Sequence, residues 1–414
     1  MKPLRVVVLD LLCISPYHDG YFCEALQAEG VDVSLAAISF HLERDYFRRA
    51  HLKNDPGLLD IVSRLGIRNT RLRQGLKFIE MFVNLIGLSV RFILAKPDIV
   101  HIQWVPLVTR APLEVWFLRF VKILGAKLVY TVHNVLPHDT SERYKKAYQK
   151  LYSTMDSLVC HTTESRERII AEFGQDPSRV WLIPPGPWFH QSSGLSREEA
   201  RNALGLKDDD CAVLFFGNIA PYKGLDFLLE GWSRTIRQTT TPAKLMIVGQ
   251  ADAVTAQMLN EQIAALGIQA TVDLNLTFVT STLLVTHHLA ADILVYPYKA
   301  ITHSAALLTG LTFGKAIVAT SLPAFCEILQ DGKNALLIDY GNVDSLASTL
   351  DRMIEDPRER DRLAEGCRQT VRGMKSWRDA AAKSVEMYQA ALEDLPPAIA
   401  ADSQESPDVL QSHH

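Results

Sequence analysis

Phe215-Phe216-Gly217-Asn218-Ile219-Ala220-Pro221-Tyr222-Lys223-Gly224 is the stretch that decides the fold class. The run Ala212–Phe216 reads as a short apolar strand, and Leu225–Ile236 behind it has helical spacing. A glycine directly after a strand lets the backbone approach a ligand closely. A lysine at the entrance of the next helix adds a point charge to the positive end of its dipole. Together they suit a diphosphate. An exposed lysine at a helix start is the equal alternative on spacing alone, because no Walker-type pattern accompanies the pair.

Working outward, the same strand–turn–helix unit recurs along the 414 residues. Short apolar runs stand at Arg5–Leu9, Val31–Ile38, Ile99–Ile102, Lys127–Val132, Ser157–His161 and Val180–Ile183. A second series follows at Ala212–Phe216, Lys244–Val248, Thr271–Leu274, Ile293–Tyr296, Ala316–Ala319 and Ala335–Ile338. Helical stretches separate most of them, which predicts two doubly wound α/β domains of the Rossmann-like type. Pro184-Pro185-Gly186-Pro187 and Gln191-Ser192-Ser193-Gly194 mark the linker, giving an N-terminal domain over 1–190 and a C-terminal one over 191–375. Residues 376–393 would form a closing helix, and the polar stretch 394–414 is expected to be disordered.

Composition narrows the function. A net charge of −4 argues against a nucleic-acid binder. The six cysteines form neither a CxxC nor a close His/Cys set, so reduced thiols in a cytoplasm are expected, with no metal and no cofactor. Asp208-Asp209-Asp210 reads as a solvated turn. Charge is uneven: residues 41–96 hold 11 Lys or Arg against 5 Asp or Glu. That local excess suggests an anionic surface as partner.

In parallel sheets the loops after the strands carry the chemistry. Thr302-His303-Ser304 follows a strand and opens the apolar helix Ala305–Phe313, where Thr302 or Ser304 would cap and free N–H groups would face a crevice. His133-Asn134 ends another strand; the histidine could orient a sugar hydroxyl, act as a base or meet a leaving phosphate, or be structural. Gln103-Trp104 could contact a sugar by amide bonding and ring stacking, or fill the core.

At this point the sequence resembles the retaining GT-B glycosyltransferases of family four, also called group 1. The resemblance rests on the Gly217-x₅-Lys223-Gly224 element, on Val180–Gly186, on Phe313–Thr320, and on Ala324–Ile328 with Asp331–Ile338. It covers about residues 5–392. It implies a cleft between the two domains, with a nucleotide-diphosphate sugar on the C-terminal domain and the acceptor on the N-terminal one. The implied donor set is Gly217, Asn218, Lys223, Gly224, Thr302, His303, Ser304 and Thr309, with His133, Asn134 and Glu327 catalytic and Gln103 and Trp104 on the acceptor. The diphosphate charge would be met by Lys223 and helix N-termini.

Two departures stand out. Asn218 occupies the place of the family's diphosphate arginine, and Ile301 and Thr309 occupy those of its two glutamates. They leave open a catalytically silent GT-B module that binds a glycan or a partner enzyme. The favoured expectation is a hexosyltransferase acting on a lipid-linked glycan in cell-surface polysaccharide assembly. It would work peripherally at the inner membrane face through residues 64–96. There Phe78, Ile79, Phe82, Leu85, Ile86 and Ile93 fall on one side of a helix preceded by Arg64, Arg68, Arg71 and Arg73.

Overall fold

The computed structural model describes residues 3–38, 40, 52, 58–62, 64–65, 67, 69–109, 113–136, 141–188 and 194–393. Arg68, the Gln191-Ser192-Ser193 part of the linker, the expected boundary at 190/191 and the tail 394–414 lie outside these residues. Twelve strands are described, in two sheets of six, each within one or two residues of an apolar run read from the sequence.

The first sheet is ordered β2-β1-β3-β4-β5-β6, from β1 Arg5–Asp10, β2 Asp32–Ala37, β3 Ile99–Ile102, β4 Lys127–Val132, β5 Ser157–Cys160 and β6 Val180–Leu182. The second is ordered β12-β11-β10-β7-β8-β9, from β7 Cys211–Phe216, β8 Ala243–Val248, β9 Val272–Asn275, β10 Ile293–Tyr296, β11 Ala316–Thr320 and β12 Leu336–Ile338. Every pairing between these strands is parallel. The central strands β3 and β10 are buried along their whole length, which is why their sequences are continuous apolar runs without alternation. Chain order reverses between β1 and β3 in one sheet and between β7 and β10 in the other. Loops leaving neighbouring strands diverge at those points and open a crevice.

The helix Trp377–Glu393 returns to the first sheet: its Ala380, Ala381, Met387 and Tyr388 join the core made by Val6, Val8, Leu26 and Val33. Gly186 lets it pass, since a Cβ there would lie 2.4 Å from the Trp377 nitrogen. Trp377 Nε1 donates to the Pro187 carbonyl at 3.0 Å. The two halves also bond through Tyr17 and Ser281 (hydroxyl oxygens 3.0 Å apart) and through Thr162, whose hydroxyl donates to the Thr302 carbonyl at 3.3 Å.

The basic segment departs from expectation in one respect. The helix Thr70–Leu94 packs inward through Met81, Asn84, Leu85, Leu88 and Phe92, so Leu85 is not on the free face. A second stripe of the same period, Ile79, Phe82, Val83, Ile86, Val90 and Ile93, is exposed. Glu80 and Asn84 hold the preceding loop, accepting from the amides of Ile61 at 2.5 Å and Leu59 at 2.6 Å. No helix among the described residues is long and apolar enough to cross a membrane.

Docking of the closing helix is testable at Tyr388, whose hydroxyl is hydrogen-bonded to the buried His101 Nδ1 at 2.6 Å. Tyr388→Phe strands that nitrogen and should lower the unfolding free energy by about 1–3 kcal/mol. An unchanged urea midpoint would show that this contact does not hold the helix.

Candidate functional site

The carboxyl ends of the two sheets face each other across a cleft of about 520 Å³. Its second-sheet wall starts from the loop after β7. Gly217 there has φ +128, and a Cβ on it would lie 2.6 Å from Lys223 Nζ. A larger residue would be strained at that φ and would push the ammonium aside. Lys223 ends the short 3₁₀ turn Pro221–Lys223, and Gly224 follows at φ +67 with its Cα against the Pro297 carbonyl, 2.1 Å from where a Cβ would stand. Gly224 therefore shapes the turn from outside the cleft lining.

Lys223 is only 7% exposed, and no carboxylate pairs with it among the described residues. Its ammonium lies 5.0 Å from the centre of the Tyr298 ring, and burial lowers its pKa. A buried cation without a counter-ion is costly, and a bound anion removes that cost. Beside it the loop after β10 ends at Ser304, whose hydroxyl accepts from the Leu307 amide at 3.2 Å and caps the helix Ala305–Thr312. Ser304, Ala305 and Ala306 line the cleft, so the positive end of that helix faces the same space. Asn218, His303 and Thr309 line it too, as does Ile301. Thr302 does not: it is buried, its hydroxyl 3.2 Å from Asn134 Oδ1, and it ties the two walls together.

The first-sheet wall is aromatic. Trp104 stacks on His133 with ring centroids 4.8 Å apart and donates from Nε1 to Ser15 Oγ at 2.6 Å. Trp104, His133 and Asn134 line the cleft together with Ser15, Tyr17 and His18. Gln103 is fully buried beneath them, and its Oε1 meets His133 Nε2 at 3.0 Å. It positions His133 and is not available to an acceptor.

Glu327 also lies away from the catalytic place expected for it. Its carboxylate accepts from the amides of Thr163 and Glu164, at 3.2 and 3.3 Å, the first residues of the helix Thr163–Phe173. It does not line the cleft; it caps a helix of the opposite half and so joins the two halves.

The reading by motif missed His18 and His161. The rings of His18, His133 and His161 lie with centroids 4.9 to 5.5 Å apart, and His303 reaches His161 at 4.9 Å from the other wall. His161 directly follows β5, so the strand-end rule that singled out His133 applies to it equally. His18 is the third residue of the helix Pro16–Ala28, with nothing in the local sequence to mark it.

Burial lowers the pKa of His18, His101 and His161 to about 3. It takes His133 and His303 well below the ordinary value, helped by the neighbouring imidazoles. Under them, burial raises Asp19 to about 7 and Asp10 well above the carboxylate range, with Asp19 adding to the latter. The two walls thus differ in kind: one carries a lone cation and a helix N-terminus, the other neutral imidazoles over buried carboxyls.

Two family models match the chain. "Glycosyl transferases group 1" covers residues 196–370 and "Glycosyltransferase Family 4" covers residues 20–186. A D-inositol 3-phosphate glycosyltransferase of Geodermatophilus obscurus is 28% identical over 255 residues, 60% of this chain and 55% of the relative. An uncharacterized glycosyltransferase of Methanocaldococcus jannaschii is 24% identical over 305 residues, 72% of this chain and 76% of the relative. The match therefore spans a little over half of the first of these relatives. Among solved structures, Anabaena HepE with UDP and glucose superposes with a TM-score of 0.73 at 15% identity, over 94% of this chain and 100% of that one. WaaG, described as a glycosyltransferase involved in lipopolysaccharide biosynthesis, superposes at 0.65 and 15% identity, over 92% and 99%. At that identity the superpositions establish the GT-B fold and nothing finer.

The neutral histidine wall gives a direct test. At pH 5.5 the ring ¹⁵N shifts of His18, His101 and His161 should still be those of neutral imidazole, because their pKa values near 3 lie far below that pH. Protonation of these rings by pH 5.5 would contradict the packing described.

Proposed function

The chain belongs to the group 1 glycosyltransferases, and from that premise we propose that it moves a sugar from a nucleotide-diphosphate sugar to an acceptor hydroxyl. The observation that carries the proposal is the buried ammonium of Lys223, which no carboxylate pairs among the described residues, beside the capped start of the helix Ala305–Thr312. An anion with two or more phosphate oxygens satisfies both. The donor sugar then projects toward His133 and Asn134, and Trp104 offers a ring face to the acceptor. Uridine diphosphate sugars are the first donors to test, since HepE is described in complex with UDP and with UDP-glucose.

In this reading the diphosphate needs no divalent metal, because fixed dipoles and one lysine supply the charge. Thr309 offers one hydrogen bond to ribose where the family has a carboxylate, and Ile301 offers none. Those two side chains favour the second reading, a silent module that binds nucleotide without turnover. A turnover assay over a panel of nucleotide sugars separates the two.

The acceptor is proposed to be a lipid-linked glycan, met at the cytoplasmic face of a membrane. Support comes from the helix Thr70–Leu94, with six apolar side chains exposed along one stripe from Ile79 to Ile93 and exposed Arg71 and Arg73 at its start. The neighbouring helix Leu113–Ile123 adds exposed Trp116 and Ile123. So large an unpartnered apolar face seeks an apolar phase.

Lys223→Ala should weaken UDP binding roughly 10- to 100-fold by calorimetry, the size of a lost charge-assisted contact. Magnesium or manganese should leave the wild-type affinity unchanged. Equal affinity in wild type and variant removes Lys223 from the donor site, and a strict metal requirement removes the account of its charge.

For the membrane, the protein should sediment with anionic vesicles at low salt. Arg71→Glu with Arg73→Glu should weaken the salt-sensitive part, where each basic residue contributes about 1 kcal/mol near the surface. Phe82→Ser with Ile86→Ser, both exposed, should weaken binding at every salt concentration. Wild-type protein left in the supernatant would limit this helix to packing.

A further inference from the structure

We propose that His18, His133 and His161 form a site for one divalent late first-row metal ion, with zinc as the type, whose open coordination position faces the cleft. The three come from separate parts of the chain: the helix Pro16–Ala28, the end of β4 and the end of β5. One ring nitrogen from each lies within 4.8 Å of the others. Tetrahedral zinc with nitrogen ligands at about 2.0–2.1 Å sets those nitrogens about 3.4 Å apart. Side-chain movements on the order of 1 Å would close the set around an ion.

Each ring has surroundings that suit a ligand. The Ile183 carbonyl accepts from His161 Nδ1 at 3.0 Å, which leaves Nε2 as the donor to a metal; that atom is buried with no hydrogen-bond partner. Gln103 Oε1 holds His133 Nε2 at 3.0 Å and leaves Nδ1 for the ion. His18 Nδ1 is likewise buried without a hydrogen bond, 3.7 Å from Asp19 Oδ1. Carbonyl and amide oxygens that fix the tautomer from behind are the usual support of metal-binding imidazoles.

His18 and His133 line the cleft, while His161 lies behind them against a small void shared with His18 and His101. Protein ligands therefore approach from one side, and the remaining position opens toward substrate, as in zinc sites with three protein ligands. If the sugar transfer proposed above is correct, that position takes water or an acceptor hydroxyl on the wall opposite Lys223. The ion is thus separate from the diphosphate, and its binding is measured without nucleotide.

The test uses the full chain stripped with EDTA and carrying His413→Ala and His414→Ala, which removes the terminal histidine pair as a rival ligand. Cobalt(II) should bind at one equivalent, give visible d–d absorption and be displaced by zinc. His161→Gln and, separately, His18→Gln should lose the band while keeping cooperative thermal unfolding, and His287→Gln should keep it. Gln103→Ala, which leaves all three rings in place, should weaken cobalt binding roughly 10- to 100-fold. No cobalt uptake by the parent protein, or uptake unchanged in both His161→Gln and His18→Gln, overturns the site. So does full affinity in Gln103→Ala should either histidine variant fail to fold.

Discussion

Parallel pairing is the constraint on which the rest of this molecule depends. A parallel strand cannot turn back beside itself, so each of the twelve delivers its chain to the same edge of its sheet as its neighbours. A helix must then return it along a face. The carboxyl edges collect the loops that leave the strands, and in this chain the two edges are turned toward each other. Residues far apart in sequence, such as Lys223 and His133, come to face one cleft as a consequence. Contacts across the halves keep the edges opposed: the Glu327 carboxylate on the helix Thr163–Phe173, Thr302 on Asn134, and Thr162 on the Thr302 carbonyl.

The cleft walls follow a consistent electrostatic logic. Ionised groups resist burial unless something of opposite sign meets them, while imidazoles can be buried by giving up their protons. The second-sheet wall keeps Lys223 buried without a carboxylate among the described residues, so its charge is left for something that enters. The first-sheet wall answers burial with neutral histidines, which can hydrogen-bond a hydroxyl or hold a metal. A donor whose phosphate sits on one wall and whose sugar reaches the other uses both without burying a second uncompensated charge.

Much of this was legible in the sequence. Strands buried on both faces leave continuous apolar runs, and all twelve could be read within one or two residues. The loop motifs at Gly217–Lys223 and Thr302–Ser304 were legible because strand ends converge by topology, whatever the side chains do. What was not legible depends on side-chain direction or on distant chain segments. Glu327 lies in a family-like motif, yet its carboxylate turns to a helix end 163 residues away. Gln103 and Trp104 are adjacent and point opposite ways, one under His133 and one over it. The helix Thr70–Leu94 carries two apolar stripes of one period, so periodicity alone could not say that Leu85 faces the sheet and Ile86 the outside. The histidine set is assembled from three segments, and no spacing in the chain announces it.

The central claim is that opposed sheet edges hold a nucleotide diphosphate against Lys223. A crystal structure of the protein with UDP, or with the nucleotide sugar that turns over, tests this most directly. The account predicts phosphate oxygens within hydrogen-bonding distance of Lys223 Nζ and of the amides that open the helix Ala305–Thr312, with the sugar directed toward His133. A diphosphate bound elsewhere, or a complex in which Lys223 pairs with a carboxylate of the protein and not with phosphate, would contradict it.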